Sequence, residues 1–322
     1  MIDRRTFLAR MAVGATALTL PRVQSRATRS EPTGMFLSLP PWAVARNVGW
    51  PEQARLAARV GYKGIDWAFG PAKTAGVDAT RALLAELAIV PTIVNLPMQG
   101  PLVPDDAAFN AQLPKLAEDA AFSQAIGCSR FHFVLPPTTP NGQPKAERWT
   151  FVQRRFSAIA AVLAEHDVRL SLEFLGPLVF RMPRDPQAAM PVGFVWTLPE
   201  THALCEASGP NVGMTLDAWH WYLSGGTVAD IRAAKVSRIL HVHVSDARVM
   251  PALEVRDDMR LLTGEGVIDL MGFFHALKAI GYQGGVSPET IGPRIPAGMP
   301  PEESARIALE ATTAVMKRAG VA

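Results

Sequence analysis

From residue 34 onward the chain alternates two hydrophobic rhythms. Short apolar runs have the length and makeup of strands covered on both faces: MFLSL (35–39), GIDWAF (64–69), PTIVNL (91–96), RFHFVL (130–135), RLSLEFL (169–175), VGMTLD (212–217), ILHVHVS (239–245) and GGVSPE (284–289). Between them, apolar positions recur at helical spacing near 51–60, 78–88, 105–126, 146–166, 198–208, 228–236, 268–280 and 301–318. Eight strands alternating with eight helices predict a single α/β domain closed as a (β/α)8 barrel rather than an open sheet. The phrases ARVGYKGID (58–66) and KAIGYQGGV (278–286) share a helix end, a glycine stop and re-entry into a strand. Pro114 lies inside the third helical stretch and predicts a kink or split there.

Connection lengths indicate which end of the barrel carries chemistry. The irregular stretches 136–145, 176–194 and 246–264 all follow strands, whereas most returns from helix to strand are short. Insertions after strands gather at the C-terminal face, where barrel enzymes place their functional groups.

Composition supports the barrel: 322 residues, 48% of them hydrophobic, suffice for one large core. Charge changes the picture only at the N-terminus. Residues 1–27 hold Arg4, Arg5, Arg10, Arg22 and Arg26 against Asp3 alone, so removing them turns the chain's +3 into −1 for the rest. That body has no excess positive charge for nucleic acid or a membrane surface. The stretch DRRTFLARMAVGATALTL pairs two arginines with a weakly apolar run closed by Pro21. It resembles a twin-arginine export signal. The expected organisation is therefore a signal over residues 1–27, read by the twin-arginine export machinery, and a barrel over 28–322 acting in the periplasm. The apolar run is shorter than the ~20 residues a spanning helix needs, so no stable membrane anchor is expected. Ser25-Arg26-Ala27 approximates a cleavage site, and Cys128 and Cys205 read as small core residues.

Four residues at strand ends carry the candidate chemistry. Glu173 follows an apolar strand beside an aromatic residue, where an ionised carboxylate needs a metal or an arginine to compensate it. Asp217 ends the next strand, with His220 three residues later; alone it reads equally as a helix N-cap. Alternation puts His241 and His243 on one side of their strand, with His243 nearer the mouth, and Glu289 ends the last strand. Each has a bland structural reading: core histidine, cap or barrel-closing ion pair. All four at one mouth predict a shared cation.

The series LEFLGP, VGMTLDAWH, HVHVSDA, LLTGEGVIDL and GYQGGVSPE resembles the xylose-isomerase-like TIM-barrel superfamily of sugar phosphate isomerases/epimerases, which includes ketose 3-epimerases, inosose dehydratases, hydroxypyruvate isomerases and endonuclease IV. The similarity spans nearly the whole chain after residue 34. It implies one divalent metal held by Glu173, Asp217, His243 and Glu289, and a substrate contact from His220. Three carboxylates and one imidazole suit Mn²⁺, Mg²⁺, Co²⁺ or Zn²⁺.

The expected activity is isomerisation or epimerisation of a sugar or sugar-like polyol ketone through an enediolate, with Glu173 and Glu289 as acid/base pair. The ketose 3-epimerase pattern is not complete. Val179 stands where those enzymes carry another glutamate, and Val249 where they carry a substrate-binding arginine. Arg248 and Arg181 are the nearby candidates for substrate contact. The rival expectation is a lyase or dehydratase acting on an inosose or oxidised sugar. Endonuclease action fits less well, because that branch has histidines at more strand ends, where the second and third strands here present Asp66 and Asn95, and the body lacks a basic footprint. A sugar-binding barrel without turnover is the third class, with Trp42, Trp67, Trp219 and Trp221 as stacking candidates.

Overall fold

The computed structural model describes residues 31–183, 185 and 187–322. The expected export signal over residues 1–27 lies outside the described residues. Among those described, no helix is long and apolar enough to cross a membrane.

The strands are β1 (Met35–Leu39), β2 (Gly64–Ile65), β3 (Val90–Pro91), β4 (Val94–Asn95), β5 (Arg130–Val134), β6 (Arg169–Glu173), β7 (Val212–Asp217), β8 (Ile239–Val244) and β9 (Gly284–Pro288). All pair in parallel, in the order β3-β2-β1-β9-β8-β7-β6-β5-β4. The end strands β3 and β4 are two pieces of one chain segment, separated only by Thr92 and Ile93. The sheet therefore closes on itself, and its nine pieces make the eight staves of a barrel. Staves five to eight of the sequence reading are β6 to β9.

The third predicted strand divides because its two halves serve different neighbours. Val90 and Pro91 pair with β2, Val94 and Asn95 pair with β5, and the chain steps across between them. The second predicted strand stops at Ile65 instead of Phe69, where the helix Phe69–Ala75 begins. Helix Leu198–Ser208 has the predicted ends. The 105–126 stretch splits into Asp106–Asn110 and Leu113–Ala125, with Pro114 in the first turn of the second helix, where its missing N–H leaves no bond unmade.

Alternation along the strands sorts the core into two populations. Leu170, Leu172, Met214, Leu216, Val242 and Val244 belong to the same buried apolar cluster as Phe156, Ile159, Leu204, Phe273 and Leu277 of the surrounding helices. The other strand face carries Ser171, Thr215, His241 and Ser287, two residues before Glu173, Asp217, His243 and Glu289 respectively. These buried polar groups bond in two pairs: Ser171 Oγ lies 2.8 Å from Thr215 Oγ1, and His241 Nε2 lies 2.8 Å from Ser287 Oγ. A tier of hydrogen-bonded side chains thus lies directly beneath the four candidate ligands.

Candidate metal centre and active site

Glu173 closes β6, Asp217 closes β7, His243 is the penultimate residue of β8, and Glu289 directly follows β9. Strand register sets Asp217 beside His243 and His243 beside Ser287, which holds the group at one level. The structure brings all four together: one potential ligand atom from each lies within 4.8 Å of the others, and all four residues are buried. His243 Nδ1 is the meeting point, 3.0 Å from Glu173 Oε1 and 2.7 Å from Glu289 Oε2.

Asp217 has two further engagements. Its Oδ1 accepts the N–H of Trp219 (2.6 Å) and of His220 (3.3 Å), capping the helix Ala218–Leu223, so the cap and the pocket readings both apply. Its Oδ2 accepts from Arg260 Nη1 at 2.6 Å. That cap also aims His220, which is buried beside Arg260 Nη2 at 3.3 Å.

Sequence reasoning missed Arg260. It lies in the long segment after β8, where no periodicity announces burial, yet it is fully enclosed. Its guanidinium pairs with Asp217, Asp257 (2.8 Å) and Glu289 (3.3 Å) and lies 4.4 Å from the ring centre of Trp219. Also missed was His132 of β5, whose Nε2 is 3.2 Å from Glu173 Oε2.

The two arginines expected to grip substrate are not brought to the pocket. Arg181 donates to the carbonyls of Gly176 (2.8 Å) and Pro177 (3.3 Å) and stacks 3.7 Å from the Trp196 ring centre, bracing its own turn. Arg248 is exposed and borders a separate small cavity with Trp219 and Met259. Of the four tryptophans, Trp42 and Trp67 line the pocket, whereas Trp219 and Trp221 are buried in packing.

The pocket is a cleft of about 410 Å³. Its polar floor holds Asp66, His132, Glu173, His220, His243, Arg260 and Glu289, and its walls include Trp42, Ile93, Val134, Phe180 and Ile291. The floor is electrostatically tense. Burial pushes the Glu289 carboxyl up to about 8 despite Arg260 and His243 nearby. Burial acts on Asp217 and Glu173 in the same direction but is outweighed, by Arg260 and His220 for Asp217 and by His243 for Glu173, and both sit below the usual carboxylate range. For His243 burial is overcome by Glu289 and Glu173, which raise it well above an ordinary imidazole. Burial takes His132 down to about 4.

This donor set fits a divalent cation. Ligands roughly 2.1 Å from one ion lie roughly 3.0–3.4 Å apart, and the contacts at His243 Nδ1 are of that order. Glu289 Oε2 is buried with no polar neighbour besides His243 Nδ1 to satisfy it. With all three carboxylates ionised and the imidazole neutral, Arg260 offsets one negative charge and a dication the remaining two.

A closed parallel barrel with a carboxylate–histidine cluster at the C-terminal ends of its strands defines the class of protein. Within that class, the chain belongs to the xylose isomerase-like TIM barrel family, whose model matches residues 54–315. It is 28% identical to an inosose isomerase of Halalkalibacterium halodurans over 161 residues, 50% of this chain and 52% of that one. It is 31% identical to an inosose dehydratase of Geobacillus thermodenitrificans over 102 residues, 28% of this chain and 34% of that one. The chain thus spans about half the length, or less, of these curated relatives. A xylose isomerase domain protein from Alicyclobacillus acidocaldarius superposes with a TM-score of 0.76 at 26% identity, covering 89% of this chain and 99% of that one. An IOLI protein with a bound zinc atom shares the fold at a TM-score of 0.72 and 21% identity, covering 88% and 99% respectively.

Proposed function

We propose that the protein is a divalent-metal-dependent isomerase or epimerase acting on a sugar or a sugar-like polyol ketone. The observation that carries this reading is the convergence of Glu173 and Glu289 on His243 Nδ1 within a cleft of sugar size. The two glutamates come from β6 and β9, on either side of the β7–β8 pair, so they flank whatever lies over His243. Glu173, Asp217, His243 and Glu289 would hold the ion. The chemistry it supplies when bound is electrophilic stabilisation of the negative charge that develops on a substrate oxygen.

The chain's own residues do the rest. One glutamate takes the proton from the carbon beside the carbonyl, and the other returns one to the opposite face of the planar enediolate. His220 and Arg260 would line the floor beneath the substrate oxygens. Trp42 and Trp67 present ring faces to the C–H surface of the substrate.

The family likeness to an inosose dehydratase favours a second reading in the same pocket. There the first proton transfer is followed by departure of a β-hydroxyl, which leaves as water and gives an enone. Incubating metal-loaded protein with a panel of ketoses, inososes and oxidised glycosides in D₂O tests both. Deuterium gain at one carbon with retained skeleton mass is the expected result, and chelation of the metal removes it. Loss of water in the mass spectrum selects the dehydratase, and binding without exchange or turnover across the panel sinks both.

We further infer, from the paired arginines and the apolar run before Pro21, export through the twin-arginine route to the periplasm. Replacing Arg4 and Arg5 together by lysine is expected to retain the protein in the cytoplasmic fraction of a host with that route. Unchanged periplasmic recovery would count against the inference.

A further inference from the structure

Asp66, immediately after β2, was expected only to mark a strand end. The structure gives it a fixed posture. Ser38 Oγ (2.8 Å) and Thr92 Oγ1 (2.7 Å) both lie against its Oδ1, and its backbone N–H donates to the Leu39 carbonyl (2.8 Å). The remaining oxygen, Oδ2, is buried without a hydrogen-bond partner and lies 3.9 Å from His243 Nε2. His241 Nε2 stands 3.5 Å from Oδ1 but is engaged with Ser287 Oγ at 2.8 Å.

Asp66, His241 and His243 also offer ligand atoms within 4.8 Å of one another, so a second cation is the obvious alternative. The geometry of His243 argues against it. Its Nδ1 already faces Glu173 and Glu289, and a ring that ligates ions through both nitrogens must surrender its last proton. A ring that gives the Nδ1 lone pair to one ion keeps a proton on Nε2, the nitrogen that lies 3.9 Å from an unpartnered carboxylate oxygen. A ring tilt of roughly an ångström at Nε2 closes that contact to a hydrogen bond.

We propose that Asp66 is a positioning residue: its Oδ2 accepts the Nε2–H of His243, selects the tautomer whose Nδ1 lone pair faces Glu173 and Glu289, and thereby sets the cation affinity of the site. Carboxylate partners of this kind orient ligating imidazoles and raise their basicity, and their loss typically weakens metal binding 10–100-fold. The inference rests on the reading of the four-residue cluster as a cation site, and its test separates the two.

Zn²⁺ affinity is measured by competition with a chromogenic chelator for wild type, Asp66→Asn and Glu173→Gln, alongside ¹⁵N-histidine NMR of the zinc-loaded protein. The expected result is about a 10–100-fold weaker Zn²⁺ affinity for Asp66→Asn. In wild type the His243 signals should show protonated Nε2 and unprotonated Nδ1, with the Nε2 proton deshielded and slow to exchange. That proton should exchange faster in Asp66→Asn, a change that mere loosening of the fold would not confine to one ring. Wild-type zinc binding with an Asp66→Asn affinity within twofold overturns the role of Asp66 and leaves the cation site standing. Should Asp66→Asn fail to fold, the wild-type spectrum still decides: a proton on Nδ1 of the loaded protein, or an Nε2 proton exchanging as fast as a solvent-exposed one, overturns the proposal. If wild type binds no zinc, the cation-site reading itself falls, and this inference falls with it.

Discussion

Glu173→Gln and Glu289→Gln should each lower turnover on the true substrate by about 10³-fold or more, the upper part of the range for loss of one acid/base group. Both changes keep side-chain volume and exchange one acceptor oxygen for an NH2 group, so folding should be little altered. What is removed is a proton-accepting oxygen at His243 Nδ1, where the two glutamates meet. If the pair act from opposite faces of a planar intermediate, the variants will not fail identically. Each should retain slow solvent exchange from the face still served by its remaining glutamate while losing net conversion, which proton NMR in D₂O resolves. Full turnover by both variants would remove these residues from the chemistry and leave a cation site without its acid/base pair.

The second large effect concerns Arg260. Replacing it by methionine keeps much of the packing against Trp219 but leaves Asp217 and Glu289 facing each other without their buried cation. Breaking one side of a buried ion pair typically costs about 3–5 kcal/mol, and a drop of that size in unfolding free energy is expected for metal-free Arg260→Met in urea titration. Saturating divalent metal should return part of it, since a ligand present at 100 times its dissociation constant stabilises the native state by about 2.7 kcal/mol. Because the variant lacks a positive charge beside the ligands, it should hold the cation more tightly, and the gap between metal-free and metal-loaded stability should be wider than in wild type. A metal-free loss below about 1 kcal/mol would show that solvent or rearrangement already compensates the two carboxylates, and that Arg260 is not the internal counter-charge described here.

The barrel and its working end were legible because buried parallel strands write themselves as short apolar runs. The four candidate ligands were legible because strand ends are countable. Three things escaped. The break at Thr92–Ile93 was hidden within one apolar run, since a residue hydrogen-bonded to one neighbour or to the other looks the same in one dimension. Arg260 lies in an aperiodic segment, and the adjoining LLTGEG phrase carried the family resemblance without placing any side chain. His132 sits between two phenylalanines, so its pattern was that of any buried strand residue. Arg181 and Arg248 are the converse case, named from sequence proximity yet absent from the lining of the cleft. Proximity in sequence to a ligand does not aim a long flexible side chain, and backbone carbonyls claimed one while solvent took the other.

The tier of Ser171, Thr215, His241 and Ser287 bears on how the cleft can be altered. The pairs Ser171–Thr215 and His241–Ser287 bolt the strands beneath the candidate ligands, and neither pair reaches the lip of the cleft. Trp42 and Val134 on that lip are 47% and 41% exposed and belong to none of the bolts. Substitution at the lip would therefore reshape the entrance to the cleft while leaving those bolts unchanged.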